Sequence, residues 1–121
     1  MDDRELYEQA VAIAERAYAP YSKFHVGAAV LARDGRVFLG VNVENAAYPL
    51  GVCAEKSALT RAVTDGCRPG DFEAIAITAS PCGGCRQWLH ELGLERVIYA
   101  RTGGEVVTTT SAELLPDTFE L

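Results

Sequence analysis

The sequence predicts an α/β layer sandwich around a mixed sheet, and three observations lead there. Apolar residues recur at helical spacing in separate segments, short β-rich runs alternate with those segments, and Gly, Pro and Asp-Gly punctuate the boundaries. A chain of 121 residues that is 49% hydrophobic buries roughly two thirds of its unfolded surface, enough for one core and too little for two. No repeat, low-complexity tract or Pro/Ser-rich linker interrupts it, so residues 1–121 read as one domain.

The elements follow in order. From Asp3 to Tyr18, Leu6, Ala10, Ile13, Ala14 and Ala17 form the stripe of an amphipathic helix that Pro20 ends. Val26 to Ala32 and Val37 to Val43 are β-rich runs joined by Arg33-Asp34-Gly35-Arg36, whose Asp-Gly pair signals an antiparallel hairpin. Glu44 to Val52, with Asn45, Pro49 and Gly51, is a loop leading to a helix that begins near Cys53 and stops at Gly66. A strand from Phe72 to Thr78 precedes a second helix opened by Pro81-Cys82-Gly83-Gly84-Cys85 and closed by Gly93, with Trp88, Leu89 and Leu92 on one face. Another strand, Arg96 to Ala100, a fifth around Val106 to Thr109 and a short Ser111-led helix running to Leu121 complete the chain. Strand order does not follow from this pattern.

Charge narrows the function. Eleven Lys plus Arg against seventeen Asp plus Glu give a net charge of −6, which repels phosphate backbones and anionic membranes and leaves small neutral or cationic ligands as partners. Apolar runs such as Val26 to Ala32 and Ala74 to Ala79 fall far short of the roughly 20 residues of a membrane span. The charged start Met1-Asp2-Asp3-Arg4-Glu5 lacks the pattern of a secretory signal, so a cytoplasmic location is expected and the four cysteines are expected as thiols.

Three of those cysteines fall at helix openings: Cys53 at one, Cys82 and Cys85 at the next. A Cys-x-x-Cys pair at a helix start can place both sulfurs on one ion, and a third thiolate from a neighbouring helix leaves one tetrahedral position open, which is the mark of a catalytic metal rather than a structural one. Cys67 lies past the end of the first of these helices, about 20 Å from Cys53 at 1.5 Å per residue, and does not join them. Glu55, two residues after Cys53, can lean over the open position and carry protons. Two helix N-termini, with Lys56 and Arg86 beside the sulfurs, favour the thiolate form.

With these residues in view, the chain resembles the zinc-dependent cytidine deaminases, and more closely their small homotetrameric nucleoside branch. Cys53-Ala54-Glu55 and Pro81-Cys82-Gly83-Gly84-Cys85-Arg86-Gln87 are similar to the two halves of the zinc signature, in the branch where Cys replaces His in the first half. Pro20-Tyr21-Ser22-Lys23-Phe24 with Val26-Gly27-Ala28-Ala29, and Asn42-Val43-Glu44-Asn45-Ala46-Ala47-Tyr48, resemble the nucleoside-binding segments. Leu114-Leu115-Pro116 with Phe119 resembles the C-terminal end.

The resemblance implies a three-layer α/β/α sandwich around a mixed five-stranded sheet, and hydrolysis of cytidine and deoxycytidine to the uridine forms and ammonia in pyrimidine salvage. One Zn²⁺ per chain would be held by Cys53, Cys82 and Cys85, with Glu55 moving a proton from water to pyrimidine N3 and then to the departing ammonia. Phe24 would stack on the base, the backbone around Ala54 would hold it, and Asn42 and Glu44 would take the ribose 3′-hydroxyl, a carboxylate there disfavouring a 3′-phosphate. Ala46, Tyr48 and Phe119 would reach a neighbouring subunit's site in a homotetramer. One departure stands out: the branch usually carries Arg where this chain has Lys56, so charge is kept but not a bidentate fork.

Rival readings are a deaminase of a modified cytosine nucleoside of the blasticidin type, a polynucleotide-editing deaminase that the −6 charge disfavours, and a non-catalytic zinc scaffold. Of the remaining residues, Cys67 is expected as a small hydrophobe, Trp88 as core or interface, and His90 as a surface or interface residue. His25 is a candidate only for the pocket mouth.

Overall fold

A computed structural model describes residues 1–121. The chain runs α1 (Asp3–Ala14), β1 (Gly27–Ala32), β2 (Val37–Val41), a 3₁₀ turn (Tyr48–Leu50), α2 (Ala54–Thr64), β3 (Phe72–Ile77), α3 (Gly83–Leu92), β4 (Arg96–Ala100), β5 (Val106–Thr110) and α4 (Ser111–Leu114). The strands form one five-stranded sheet in the order β2-β1-β3-β4-β5. Only the β3/β4 pair is parallel, with α3 as its crossover, so the sheet is mixed as the sequence predicts.

Side-chain alternation on the central strands creates the layers. Ala29 and Leu31 of β1, Ala74 and Ala76 of β3 and Ile98 of β4 turn to one face and pack on Leu6 and Ala10 of α1. Ala28 and Val30, Ile75 and Ile77, and Val97 and Tyr99 turn to the other, where Ala54, Ala58, Leu59 and Ala62 of α2 and Leu89 of α3 cover them. Both sheet faces are thus capped by helix, the three-layer sandwich expected from the resemblance.

Two close approaches hold α1 and α2 on this sheet. A Cβ at Gly27 would lie 2.0 Å from the Ala10 carbonyl oxygen of α1, and one at Gly40 would lie 2.3 Å from the Ala58 nitrogen and 2.7 Å from the Ala54 oxygen of α2. Strand and helix backbones therefore touch at these glycines, an arrangement that fails for any residue with a side chain. α1 is started by a capping box, in which the Asp2 carboxylate accepts from the Glu5 N–H at 2.8 Å while Glu5 accepts from the Asp2 N–H at 3.1 Å.

Several boundaries differ from the sequence reading. α1 ends at Ala14 and does not continue to Tyr18; Pro20 is not what stops it. Instead the Tyr18 N–H donates to the Asn42 carbonyl and the Glu44 N–H donates to the Tyr18 carbonyl, so the segment is drawn out of the helix into a bridge beside Val43. The same competition shortens β2, which stops at Val41 because Val43 pairs with Tyr18 and Val52 rather than along the hairpin. The last helix covers only Ser111–Leu114, since Pro116 disfavours the helical conformation at Leu115, whose φ of −141° and ψ of 82° are extended, and Asp117 is left-handed at φ 54°. Gly93 ends α3 in the left-handed cap the sequence calls for, at φ 79°.

The contact at Gly40 yields a test. Gly40→Ala forces β2 and α2 apart and is expected to destabilise the protein by about 2 kcal/mol or more, lowering its melting temperature by roughly 10 °C and weakening metal retention. A variant that melts within about 2 °C of the parent would show that the two backbones are not locked together.

Candidate metal centre and active site

The N-termini of α2 and α3 converge beside the end of β3. Cys53 is the N-cap residue of α2, Cys82 is the N-cap of α3, and Cys85 is its third residue. N-cap and third position face each other across the first helical turn, and here the Cys85 N–H donates to Cys82 Sγ at 3.4 Å. The three Sγ atoms lie within 4.8 Å of one another, and no His, Asp or Glu side chain joins the cluster. A tetrahedral zinc with Zn–S of about 2.3 Å places its sulfurs about 3.8 Å apart, so the donor set fits this ion with one position left open.

Electrostatics agree with that fit. Hydrogen bonds from Cys85 and Cys82 and the nearby Lys56 charge hold the Cys53 thiol below its ordinary range. The same contact with Cys53, together with burial and the Glu55 charge, pushes the Cys85 thiol far above it. One sulfur is therefore ready to ionise at neutral pH while another keeps its proton until a cation replaces it. Both sit at helix N-termini, where partial positive charge favours thiolate.

Glu55, the second residue of α2, is the one buried charged side chain, 4% exposed, and it borders the pocket beside Cys53 and Cys82. Burial raises its carboxyl above the ordinary carboxylate range, and the Cys53 charge adds to this. A buried acid whose proton is held more tightly than an ordinary carboxyl's suits general acid–base chemistry. Lys56 places its Nζ 5.8 Å from the centre of the Trp88 ring while its charge reaches Cys53 and Glu55.

The pocket has a volume of about 760 Å³. Phe24, Asn42, Glu44, Ala46, Tyr48 and Ala54 all border it, so the structure gathers these sequence-predicted residues around one cavity. Asn42 and Glu44 flank the bridging Val43 and turn to the same side, although β2 has already ended. Both side chains also hold the loop opposite. Asn42 Oδ1 accepts from the Val26 N–H at 2.9 Å, and its Nδ2 donates to the Phe24 carbonyl at 2.9 Å. Glu44 Oε1 accepts from the N–H groups of Tyr21 and Ser22 at 3.0 and 3.1 Å, and its Oε2 accepts from the Ser22 hydroxyl. These donors, Ser22 foremost, keep the Glu44 carboxyl below its usual range, a fixed anion.

Some residues fall elsewhere. Arg86 does not turn its donors to the thiolates: its Nε reaches the Pro81 carbonyl at 2.9 Å, Nη1 the Leu114 carbonyl at 3.1 Å and Nη2 Ser80 Oγ at 3.4 Å. Carbonyl oxygens left free at the loop and at the C-terminal segment capture it, and it ties α4 to the start of α3. Phe119 is 68% exposed and outside the pocket of its own chain, and Tyr48, on the pocket rim, is 91% exposed. Cys67 is buried in the core with Arg36 Nη2 3.6 Å from its sulfur, His25 is exposed away from the pocket, and His90 pairs with Glu120 at 3.3 Å. Ser22 is the residue whose role the sequence reading missed. It belongs to a recognised segment, but its bond to Glu44 spans 22 positions of sequence and leaves no local signal.

Comparison with known proteins matches this geometry. A family model described as the cytidine and deoxycytidylate deaminase zinc-binding region matches residues 1–101. The cytidine deaminase of Sporosarcina psychrophila is 44% identical over 98% of this chain and 92% of that protein. Among solved structures, cytidine deaminase from Burkholderia pseudomallei is 48% identical with a TM-score of 0.91, covering 98% of this chain and 100% of that one. That from Mycobacterium tuberculosis is 38% identical with a TM-score of 0.84, covering 100% and 99%.

The high-lying Cys85 thiol sets the sign of a pH dependence. Metal must displace at least its proton at any pH from about 6 to 8, so apparent zinc affinity is expected to rise about tenfold or more per pH unit. Competition against a chelating indicator at several pH values measures it, and a flat profile would contradict the protonated site described above.

Proposed function

The chain belongs to the cytidine and deoxycytidylate deaminase family, and from that premise we propose that it converts cytidine and 2′-deoxycytidine to uridine and 2′-deoxyuridine with release of ammonia, a reaction of pyrimidine salvage. The observation that carries this reading is Glu55, a buried carboxyl bordering the pocket beside three convergent thiols. A zinc scaffold has no use for such an acid; a hydrolytic deaminase depends on one.

Cys53, Cys82 and Cys85 would hold one zinc ion, which supplies the Lewis acidity that makes water a nucleophile at neutral pH. Glu55 takes the proton from the attacking water and delivers it to the ring N3. Once the water oxygen has bonded to C4, the same carboxyl takes the second proton from the new C4 hydroxyl and passes it to the amino group. The C4–N4 bond breaks, ammonia departs and the carbonyl of uridine remains, with N3 keeping the first proton. Burial raises the carboxyl above the ordinary carboxylate range, which favours its holding a proton between these transfers. Lys56 supports the thiolates by charge. Arg86 supports the site by joining the start of α3 to the C-terminal segment.

For the substrate, Phe24 offers an aromatic face to the pyrimidine, the backbone at Ala54 holds the base edge, and Asn42 and Glu44 take the 3′-hydroxyl. A carboxylate held ionised at that point, in a chain of net charge −6, favours free nucleosides over nucleotides and polynucleotides. Residues 1–121 act as one catalytic domain. Ala46, Tyr48 and Phe119 complete the site of a neighbouring subunit in a homotetramer, a role supported by the exposure of both aromatic rings. No helix is long and apolar enough to cross a membrane, and the reading places the enzyme in the cytoplasm.

Glu55→Gln separates catalysis from metal binding. The variant is expected to keep about one zinc per chain and to lose cytidine turnover by several orders of magnitude, each factor of ten corresponding to about 1.36 kcal/mol of barrier. Loss of the cytosine ultraviolet band on incubation with cytidine reads the activity directly. Full activity in Glu55→Gln would sink the mechanism, and turnover confined to a modified cytosine nucleoside would redirect the substrate.

A further inference from the structure

Ser22 sits between the two halves of the pocket. Its hydroxyl donates to Glu44 Oε2 and accepts the Phe24 N–H at 3.0 Å. One oxygen therefore joins the carboxylate on the sugar side to the backbone of the ring on the base side. The residue between them, Lys23, is left-handed at φ 62°, with its N–H on the Ala19 carbonyl at 3.1 Å. A residue with a side chain stays in that conformation only where its surroundings impose it. Here the contacts of Ser22 and Glu44 on one side of Lys23 act together with its own bond to Ala19. Asn42 Nδ2 holds the Phe24 carbonyl, so both backbone polar groups of Phe24 are anchored.

The hydrogen-bond inventory leaves room for a ligand. An ionised carboxylate offers about four acceptor positions, and the loop fills three on Glu44, from the Tyr21 and Ser22 N–H groups and the Ser22 hydroxyl. Asn42 keeps one N–H of its amide free in the same way. A sugar hydroxyl can thus join this unit without displacing the loop.

We propose that Ser22 is a positioning residue that ties Phe24 to Glu44, so that stacking on the base and recognition of the sugar are set by one hydrogen-bonded unit. This rests on the roles of Phe24 and Glu44 given above. Removing the hydroxyl frees Phe24 and lets Lys23 relax. Substrate binding then suffers, while Glu55 and the thiols, held on α2 and α3, keep their places.

Steady-state kinetics with cytidine on zinc-loaded Ser22→Ala, Ser22→Thr, Phe24→Ala and the double variant Ser22→Ala/Phe24→Ala test this. Ser22→Ala is expected to raise KM about tenfold with kcat changed by less than about threefold, and Ser22→Thr to recover most of the loss. In the absence of the Phe24 ring, Ser22→Ala is expected to raise KM by less than about threefold, because the ring it positions is gone. An unchanged KM in Ser22→Ala, a loss of kcat alone, no recovery in Ser22→Thr, or an equal rise in KM with and without the Phe24 ring would each overturn the tether while leaving Phe24 as the stacking residue. An unchanged KM in Phe24→Ala would instead remove the stacking role itself, and the tether with it.

Discussion

Where β2 crosses α2, strand and helix backbones meet with no side chain between them. Gly40 lies against the Ala54 oxygen and Ala58 nitrogen, and Ala54 and Ala58 are themselves small enough to allow the approach. That contact sets the height and azimuth of α2 on the sheet, and with it the position of everything on the helix's first turn: Cys53 at the cap, Ala54 on the pocket, Glu55 beneath it. Gly27 does the same for α1 on the opposite face, so the hairpin is gripped from both sides. α3 is placed independently, as the crossover between parallel strands β3 and β4. A metal triangle assembled from two separately anchored helices tolerates little drift, on the order of 0.5 Å, before its geometry is lost.

The two carboxylates of the pocket are driven apart by their surroundings. Glu55 is enclosed by protein, with a thiolate nearby, and is pushed toward the neutral form. Glu44 is open to solvent but receives two backbone N–H groups and a hydroxyl, which hold it ionised. Environment rather than residue type therefore separates a proton carrier from a fixed anion. The two cations beside the cysteines part in the same manner. Lys56 lends its charge to Cys53 and rests near Trp88, whereas Arg86, with a planar fork of donors, is captured by oxygens of Pro81, Leu114 and Ser80.

Much of this architecture was legible before any coordinates. The Asp-Gly hairpin, the cap at Gly93 and the strand Arg96–Ala100 obey rules confined to a few neighbouring residues, and all three are present in the fold. Cys53, Cys82 and Cys85 were legible because metal chemistry restricts donor type and number, and a Cys-x-x-Cys pair at a helix start has one sensible geometry. The boundaries that moved did so for a shared reason. Ala17 and Tyr18 continue the helical stripe in sequence, yet Tyr18 gains two backbone hydrogen bonds with the Asn42 to Glu44 segment that helix propensity does not register. β2 lost its last residues to the same bridge.

The sequence by itself determined the order of helices and strands, the three sulfur donors and the acid beside them, because periodicity, capping and coordination are short-range or compositional constraints. Tertiary structure alone decided that α1 and the hairpin touch at Gly27, that Arg86 turns its donors to Pro81, Leu114 and Ser80 rather than to the thiolates, and that Glu44 and Asn42 hold the loop carrying Phe24 as well as facing the pocket. Each of these depends on groups far apart in sequence competing for the same hydrogen bond or the same few ångströms. Only the folded chain brings such competitors together and lets the stronger contact prevail.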